Sequence, residues 1–174
     1  MNNGFCILAE NNHKTDYVRQ AYGLACSIHK NNINQQVSLI TDDDVPNEYR
    51  NVFDNIIPIP WGNLAKNSDW KIENRWKVYH LTPYENTIVM DADMLILDDI
   101  SDWWYKCNEH SVAFTTNVLT YRKDLVTTNY YRKTFVANNL PNLYSGLYYF
   151  KKCDVAKEFF ILVEMIWKNW QEFY

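Results

Sequence analysis

Two carboxylates stand one residue apart in Thr87-Ile88-Val89-Met90-Asp91-Ala92-Asp93-Met94-Leu95-Ile96-Leu97, directly after a short apolar run that begins past Pro83 and Asn86. Paired hard oxygens suit a divalent cation such as Mn²⁺ or Mg²⁺, which takes carboxylates and keeps positions open for water and phosphate. Asp-x-Asp alone is common in exposed turns, where Asp bonds the local backbone. Here an apolar strand precedes it and a second apolar run follows, which favours a metal site at the carboxyl edge of a parallel sheet. Arg75 adds a fixed fork of donors, charged at any physiological pH and suited to phosphate or ribose oxygens. The alternative for Arg75 is a surface pair with Glu73 or Asp69, and Lys77, on another face of the same helix, is expected in solvent.

The elements that must position these groups alternate between strand and helix, which predicts a mostly parallel sheet with helices on its faces. Phe5 to Ala9 is the first expected strand. Tyr17, Ala21, Leu24, Ala25 and Ile28 then fall on one face of a helix opening near Thr15 or Asp16, both good caps. Gln36 to Thr41 is a second strand, closing on Asp42-Asp43-Asp44 and Pro46; Ile56 to Pro60 is a third, at an edge because its prolines cannot donate to a ladder. A loop over Trp61 to Asp69 leads to a helix over Trp70 to Leu81, stopped by Pro83. After the Asp-x-Asp strand come a short helix around Asp98 to Tyr105 and a strand over Val112 to Thr115. Thr116 to Pro141 is polar and irregular, and Asp154 to Tyr174 forms a closing helix. Its expected inner face holds Val155, Phe159, Leu162, Ile166 and Phe173, with Phe160, Val163 and Trp167 beside them.

At 174 residues the chain is expected to be one domain, residues 1–174, burying about 70% of its unfolded surface. A composition 47% hydrophobic and 16% aromatic excludes intrinsic disorder. A net charge of −4 argues against nucleic acid as a partner; the clusters Tyr121-Arg122-Lys123 and Tyr130-Tyr131-Arg132-Lys133 are expected to be solvated loop. Cys6, Cys26, Cys107 and Cys153 lack metal-site spacing and fit reduced thiols in a cytoplasmic protein. The run Phe159 to Trp167 is far shorter than a membrane span and contains Glu164, and Phe5 to Ala9 is too short for a signal peptide. Oligomeric state is not written in the sequence.

From Arg75 to Asp102 the chain resembles the central block of nucleotide-sugar glycosyltransferases with the GT-A fold, particularly the glycogenin and galactosyltransferase-like group, family 8. Arg75 matches the basic position, Leu81, Thr82 and Tyr84 the Leu-Thr-x-Tyr turn, and Asp91 and Asp93 the metal motif. Leu143 to Phe150 resembles the strand that begins Asn-Ser-Gly, with Tyr144 standing in place of Asn. The resemblance implies a GT-A-like α/β fold with a mostly parallel, Rossmann-like sheet flanked by helices. It implies metal-dependent transfer of a sugar from a nucleoside-diphosphate donor, UDP-sugar first, to a glycan, lipid or protein acceptor.

Mn²⁺ or Mg²⁺ would sit on Asp91 and Asp93, with Asp93 the stronger ligand and Asp91 also reaching the ribose. The donor-binding set implied is Ala9, Glu10 and Asn11 past the first strand, Tyr17 as a base-stacking or core residue, Arg75, Asp91 and Ala92. Asp42 is a weaker candidate. Ser145 and Gly146 would face sugar or acceptor, glycine permitting close backbone approach, unless Gly146 only makes a bend. The family takes a third ligand, a His, from beyond the Ser-Gly strand. None of His13, His29, His80 or His110 holds that position, and the sequence given stops at Tyr174. Either water or donor completes the coordination, or the chain is a shortened form that binds donor without turnover. A haloacid-dehalogenase-like phosphatase also begins from a strand and Asp-x-Asp, but its motif lies near the amino terminus. No catalytic base is assignable among Asp124, Asp154 and Glu158, and the stereochemical outcome stays open.

Overall fold

The computed structural model describes residues 2–32, 34–68, 71–124, 137–141 and 143–173. Asp69, Trp70, the Tyr130 to Lys133 cluster and much of the 116–141 segment lie outside them. The described strands are β1 (Asn3–Leu8), β2 (Gln36–Ile40), β3 (Asn55–Ile57), β4 (Asn86–Asp91), β5 (Val112–Thr115) and β6 (Tyr144–Lys151), in the order β3-β2-β1-β4-β6-β5. The pairings β1–β2, β1–β4 and β2–β3 are parallel, whereas β6 runs antiparallel to both β4 and β5. The α/β, mostly parallel sheet expected from the sequence is therefore observed, and β3 lies at its edge, stopping before Pro58.

Register and side-chain alternation sort the core. Phe5 pairs with Ile88 and Ile7 with Met90, and all four join the cluster that packs under α1 (Tyr17–Asn31). Cys6 pairs with Val89 on the opposite face, where Val78, Tyr79, Tyr148, Phe150 and Phe160 gather. Asp16 caps α1 by accepting from the Arg19 N–H at 2.9 Å. The face that α1 buries holds Val18 with Ala21, Leu24, Ala25 and Ile28, and Tyr17 is only partly covered.

Two helices differ from expectation. In place of one helix ending at Leu81, a 3-10 turn over Arg75–Lys77 leads into a single turn of α-helix, α3 (Val78–Leu81), which follows the equally short α2 (Asn47–Arg50). Lys77 is fully buried rather than solvated, its ammonium donating to the carbonyls of Pro60 at 3.0 Å and Gly62 at 2.5 Å. Burial lowers its pKa, and the nearby charges of Glu10 and Asp42 oppose that shift. After α4 (Asp102–Cys107), the closing segment is α5 (Asp154–Lys168) followed by a short α6 (Trp170–Phe173). The expected inner face of α5 is largely its outer one: Val155 is 63% exposed, and Leu162 and Ile166 are exposed too, whereas Ala156 and Phe160 are buried. Both faces of α5 are apolar, so periodicity alone could not select between them.

The Leu-Thr-x-Tyr turn aligns the strands. Thr82 Oγ1 meets Thr87 Oγ1 at 2.7 Å and accepts from the Tyr84 N–H at 3.2 Å. The buried Tyr84 ring occupies the space that a Cβ on Gly4 would need, and its hydroxyl meets Ser38 Oγ at 2.6 Å, linking the turn to β1 and β2. Burial raises the Tyr84 phenol to about 12. Tyr84→Phe is expected to cost about 1 kcal/mol in urea unfolding, the usual worth of a buried hydrogen bond, while leaving the carboxyl edge of the sheet unaltered. An unchanged midpoint would contradict that role.

Candidate functional site

Strand β4 delivers Asp91 to the carboxyl edge of the sheet, and the Met94 N–H donates to the Asp91 carbonyl at 3.3 Å to close a turn. That turn buries Ala92 and exposes Asp93. Helix α1 fixes the chain that follows: Ser27 Oγ accepts from the Ile96 N–H at 2.9 Å, Asn31 Nδ2 donates to the Ile96 carbonyl at 2.8 Å, and Asn32 Oδ1 accepts from the Ile100 N–H at 2.8 Å.

Arg75 reaches Asp91 rather than Glu73, donating from Nη2 to Oδ1 at 2.5 Å. Its Nη1 donates to the Ser145 carbonyl and to Ser145 Oγ, each at 3.1 Å. A Cβ on Gly146 would lie 2.6 Å from Asp91 Oδ2 and 2.7 Å from the Tyr144 ring. Glycine at 146 thus makes room for the carboxylate itself, a closer demand than room for a sugar. Burial raises the Asp91 pKa, the Arg75 charge opposes the rise, and Asp93 adds to it. With Oδ1 held by Arg75, Asp91 Oδ2 and the Asp93 carboxylate remain as hard oxygen donors, a set that suits Mg²⁺ or Mn²⁺ completed by water or phosphate. Among the described residues no group of three His, Cys, Asp or Glu side chains gathers to hold a metal.

A cavity of about 200 Å³ brings Asp91, Ala92 and Asp93 together with Arg75, Glu10 and Tyr17. Glu10 is 3% exposed; its Oε1 accepts from Asn74 Nδ2 at 2.9 Å, and its Oε2 is buried without a hydrogen-bond partner. Burial raises the Glu10 pKa against the hydrogen bonds of Asn74 and Asn63 and the charge of Lys71. Tyr17 both lines the cavity and packs on the α1 core.

Ala9, Asn11 and Asp42 are not among the residues lining this cavity. Ala9 is core, its N–H continuing the ladder to the Ile40 carbonyl at 3.0 Å. Asn11 caps α1, Oδ1 accepting from the Val18 N–H at 3.0 Å, while its own N–H donates to Asp43 Oδ2 at 2.6 Å. Asp42 holds the loop after β3 by accepting from the Ile59 N–H at 2.8 Å. Leu8, Lys71 and Ile72 also line the cavity. Leu8 falls in the expected first strand, whereas Lys71 and Ile72, expected in a helix, reach the cavity from a turn.

No protein-family model and no curated protein matches the chain. Solved structures do. The galactosyltransferase LgtC, solved with donor and acceptor sugar analogs, aligns with 95% of this chain at TM-score 0.64 and 13% identity. The glycosyltransferase GlyE of Streptococcus pneumoniae TIGR4, in its apo form, aligns with 97% at TM-score 0.58 and 13% identity, and the bifunctional WbbM with 91% at 0.57. The chain has the GT-A-type fold of these glycosyltransferases. It spans 64% of the LgtC chain, 39% of GlyE and 33% of WbbM. No described helix is long and apolar enough to cross a membrane.

Because Arg75 is the cation that offsets Asp91, Arg75→Met is expected to raise the Asp91 pKa further above its unfolded value of about 3.9. A carboxyl whose folded pKa is raised stabilises the fold while protonated and loses that contribution as pH rises through the folded pKa. The stability deficit of Arg75→Met should therefore be smallest below about pH 4 and grow toward neutrality in urea unfolding. A deficit independent of pH would contradict the pairing.

Proposed function

We propose that this chain forms a metal-dependent glycosyltransferase domain that takes its sugar from a nucleoside diphosphate, a UDP-sugar before others. The observation that carries this is the meeting of Asp91, Asp93 and Arg75 with Glu10 and Tyr17 on one cavity at the carboxyl edge of the sheet. Glu10 Oε2 is an unfilled acceptor in a buried setting, where an unmade hydrogen bond costs about 1–3 kcal/mol. The N3–H of uracil supplies the missing donor. Tyr17 offers an aromatic face to the base. Arg75 holds Asp91 through one nitrogen and the Ser145 segment through the other, and its charge beside them would favour a donor phosphate near the Ser145-Gly146 strand start. The Lys71 charge, on the same cavity, adds attraction for a diphosphate. Asp93 and Asp91 Oδ2 would hold Mn²⁺, or Mg²⁺, which when bound supplies Lewis-acid stabilisation to the departing diphosphate. The acceptor is a glycan, lipid or protein hydroxyl.

Release of UDP from a panel of UDP-sugars with Mn²⁺ tests this. Asp93→Asn should lower turnover by about 10²-fold or more, the usual loss on removing a main stabiliser of developing charge. Glu10→Gln should weaken UDP binding about tenfold by replacing the free acceptor with a donor. Wild-type turnover in Asp93→Asn would contradict the assignment. UDP binding without transfer or hydrolysis would reduce it to a donor-binding domain.

A further inference from the structure

A second cavity, of about 240 Å³, shares Ile72 and Arg75 with the donor cavity. Ser145 joins Arg75 at its wall, and most of the remaining lining is aromatic: Trp76, Phe114, Tyr148, Phe159 and Trp167. The cavity opens to the surface, an accessible concavity walled by large rings. Trp76 is 6% exposed, yet its indole Nε1–H is buried without an acceptor. An orphaned buried donor costs free energy that a ligand oxygen would recover. The Trp76 ring is also held in place, parallel to Trp61 at 6.0 Å between centroids and 7° between planes, with the Lys168 ammonium 5.2 Å from its centroid.

We propose that this cavity is the acceptor subsite, and that it takes one glycoside ring, which lays its C–H face on the aromatic lining and offers an oxygen to Trp76 Nε1–H. Drug-sized ligands fill about 300 Å³ or more, so the volume suits a single ring. The inference rests on the donor assignment above: the shared Arg75 and Ser145 wall sets the ring beside the sugar to be transferred. Laying the C–H face of the ring on these apolar surfaces removes both from water, which favours binding.

The test is saturation-transfer-difference NMR with methyl and phenyl β-glycosides of glucose, galactose and N-acetylglucosamine, on wild type, Val163→Phe and Trp167→Ala. Thermal stabilisation by UDP with Mn²⁺ is measured in parallel. Val163 lines this cavity and not the donor cavity, so phenylalanine there should fill it. Saturation of the pyranose ring protons is expected in wild type, weakened about three- to tenfold in Trp167→Ala and lost in Val163→Phe, with UDP stabilisation unchanged in both. If Val163→Phe fails to fold, Trp167→Ala carries the test. Binding retained in Val163→Phe, saturation of the phenyl protons alone, or no glycoside binding while UDP stabilises the wild type would each overturn the acceptor assignment and leave the donor reading standing. Absence of UDP stabilisation overturns the donor reading and the acceptor assignment with it.

Discussion

A central strand that ends in a carboxylate must find a cation for it, and in this fold Arg75 is that cation. Strand β4 is buried from Asn86 to Met90 and then releases Asp91 at the carboxyl edge, 28% exposed at its side chain. Arg75 meets one oxygen, and Gly146 leaves space for the other. The guanidinium also ties down Ser145, so β4, the 3-10 turn and the start of β6 are set by one group. The same side chain borders both cavities, which makes it the hinge between what binds the donor and what binds its acceptor in the proposed reaction.

Around this pair the loops at the carboxyl edge are tied to one another by bonds from side chains to backbone. Asp43 holds the Asn11 N–H beyond β1, Asp42 holds the Ile59 N–H beyond β3, and Lys77 holds the carbonyls of Pro60 and Gly62. Asn74 bridges Glu10 and Asn63. Residues from distant parts of the chain thereby meet at one edge with few free torsions. Such preorganisation is what lets a binding site work without paying for order on contact.

The short apolar runs of β1 and β4 and the cap at Asp16 were legible because they depend on neighbours in sequence. So was the position of Asp91 at the end of a strand, since apolar runs bracket it. The partner of Arg75 was not, because Asp91 becomes its neighbour only when the turn before α3 crosses the end of β4. Lys77 could not be read as buried, since the carbonyls that hold it come from a loop some fifteen residues earlier. Asn11 has a structural use that its type alone did not reveal: its Oδ1 accepts from the Val18 N–H in the first turn of α1. For α5, apolar residues on both faces left the choice to the sheet and the Arg75–Lys77 turn it meets.

Thermal unfolding of the chain with UDP, GDP, CDP and ADP, each with and without Mn²⁺ and each against Asp93→Ala, tests the donor site most directly. A ligand at about 100 times its Kd adds about 2.7 kcal/mol, which for a domain of this size moves Tm by several degrees. The account predicts stabilisation by UDP above the other nucleotides, only with Mn²⁺ and only while Asp93 is intact. Equal melting under every condition, or stabilisation that survives Asp93→Ala, would contradict it.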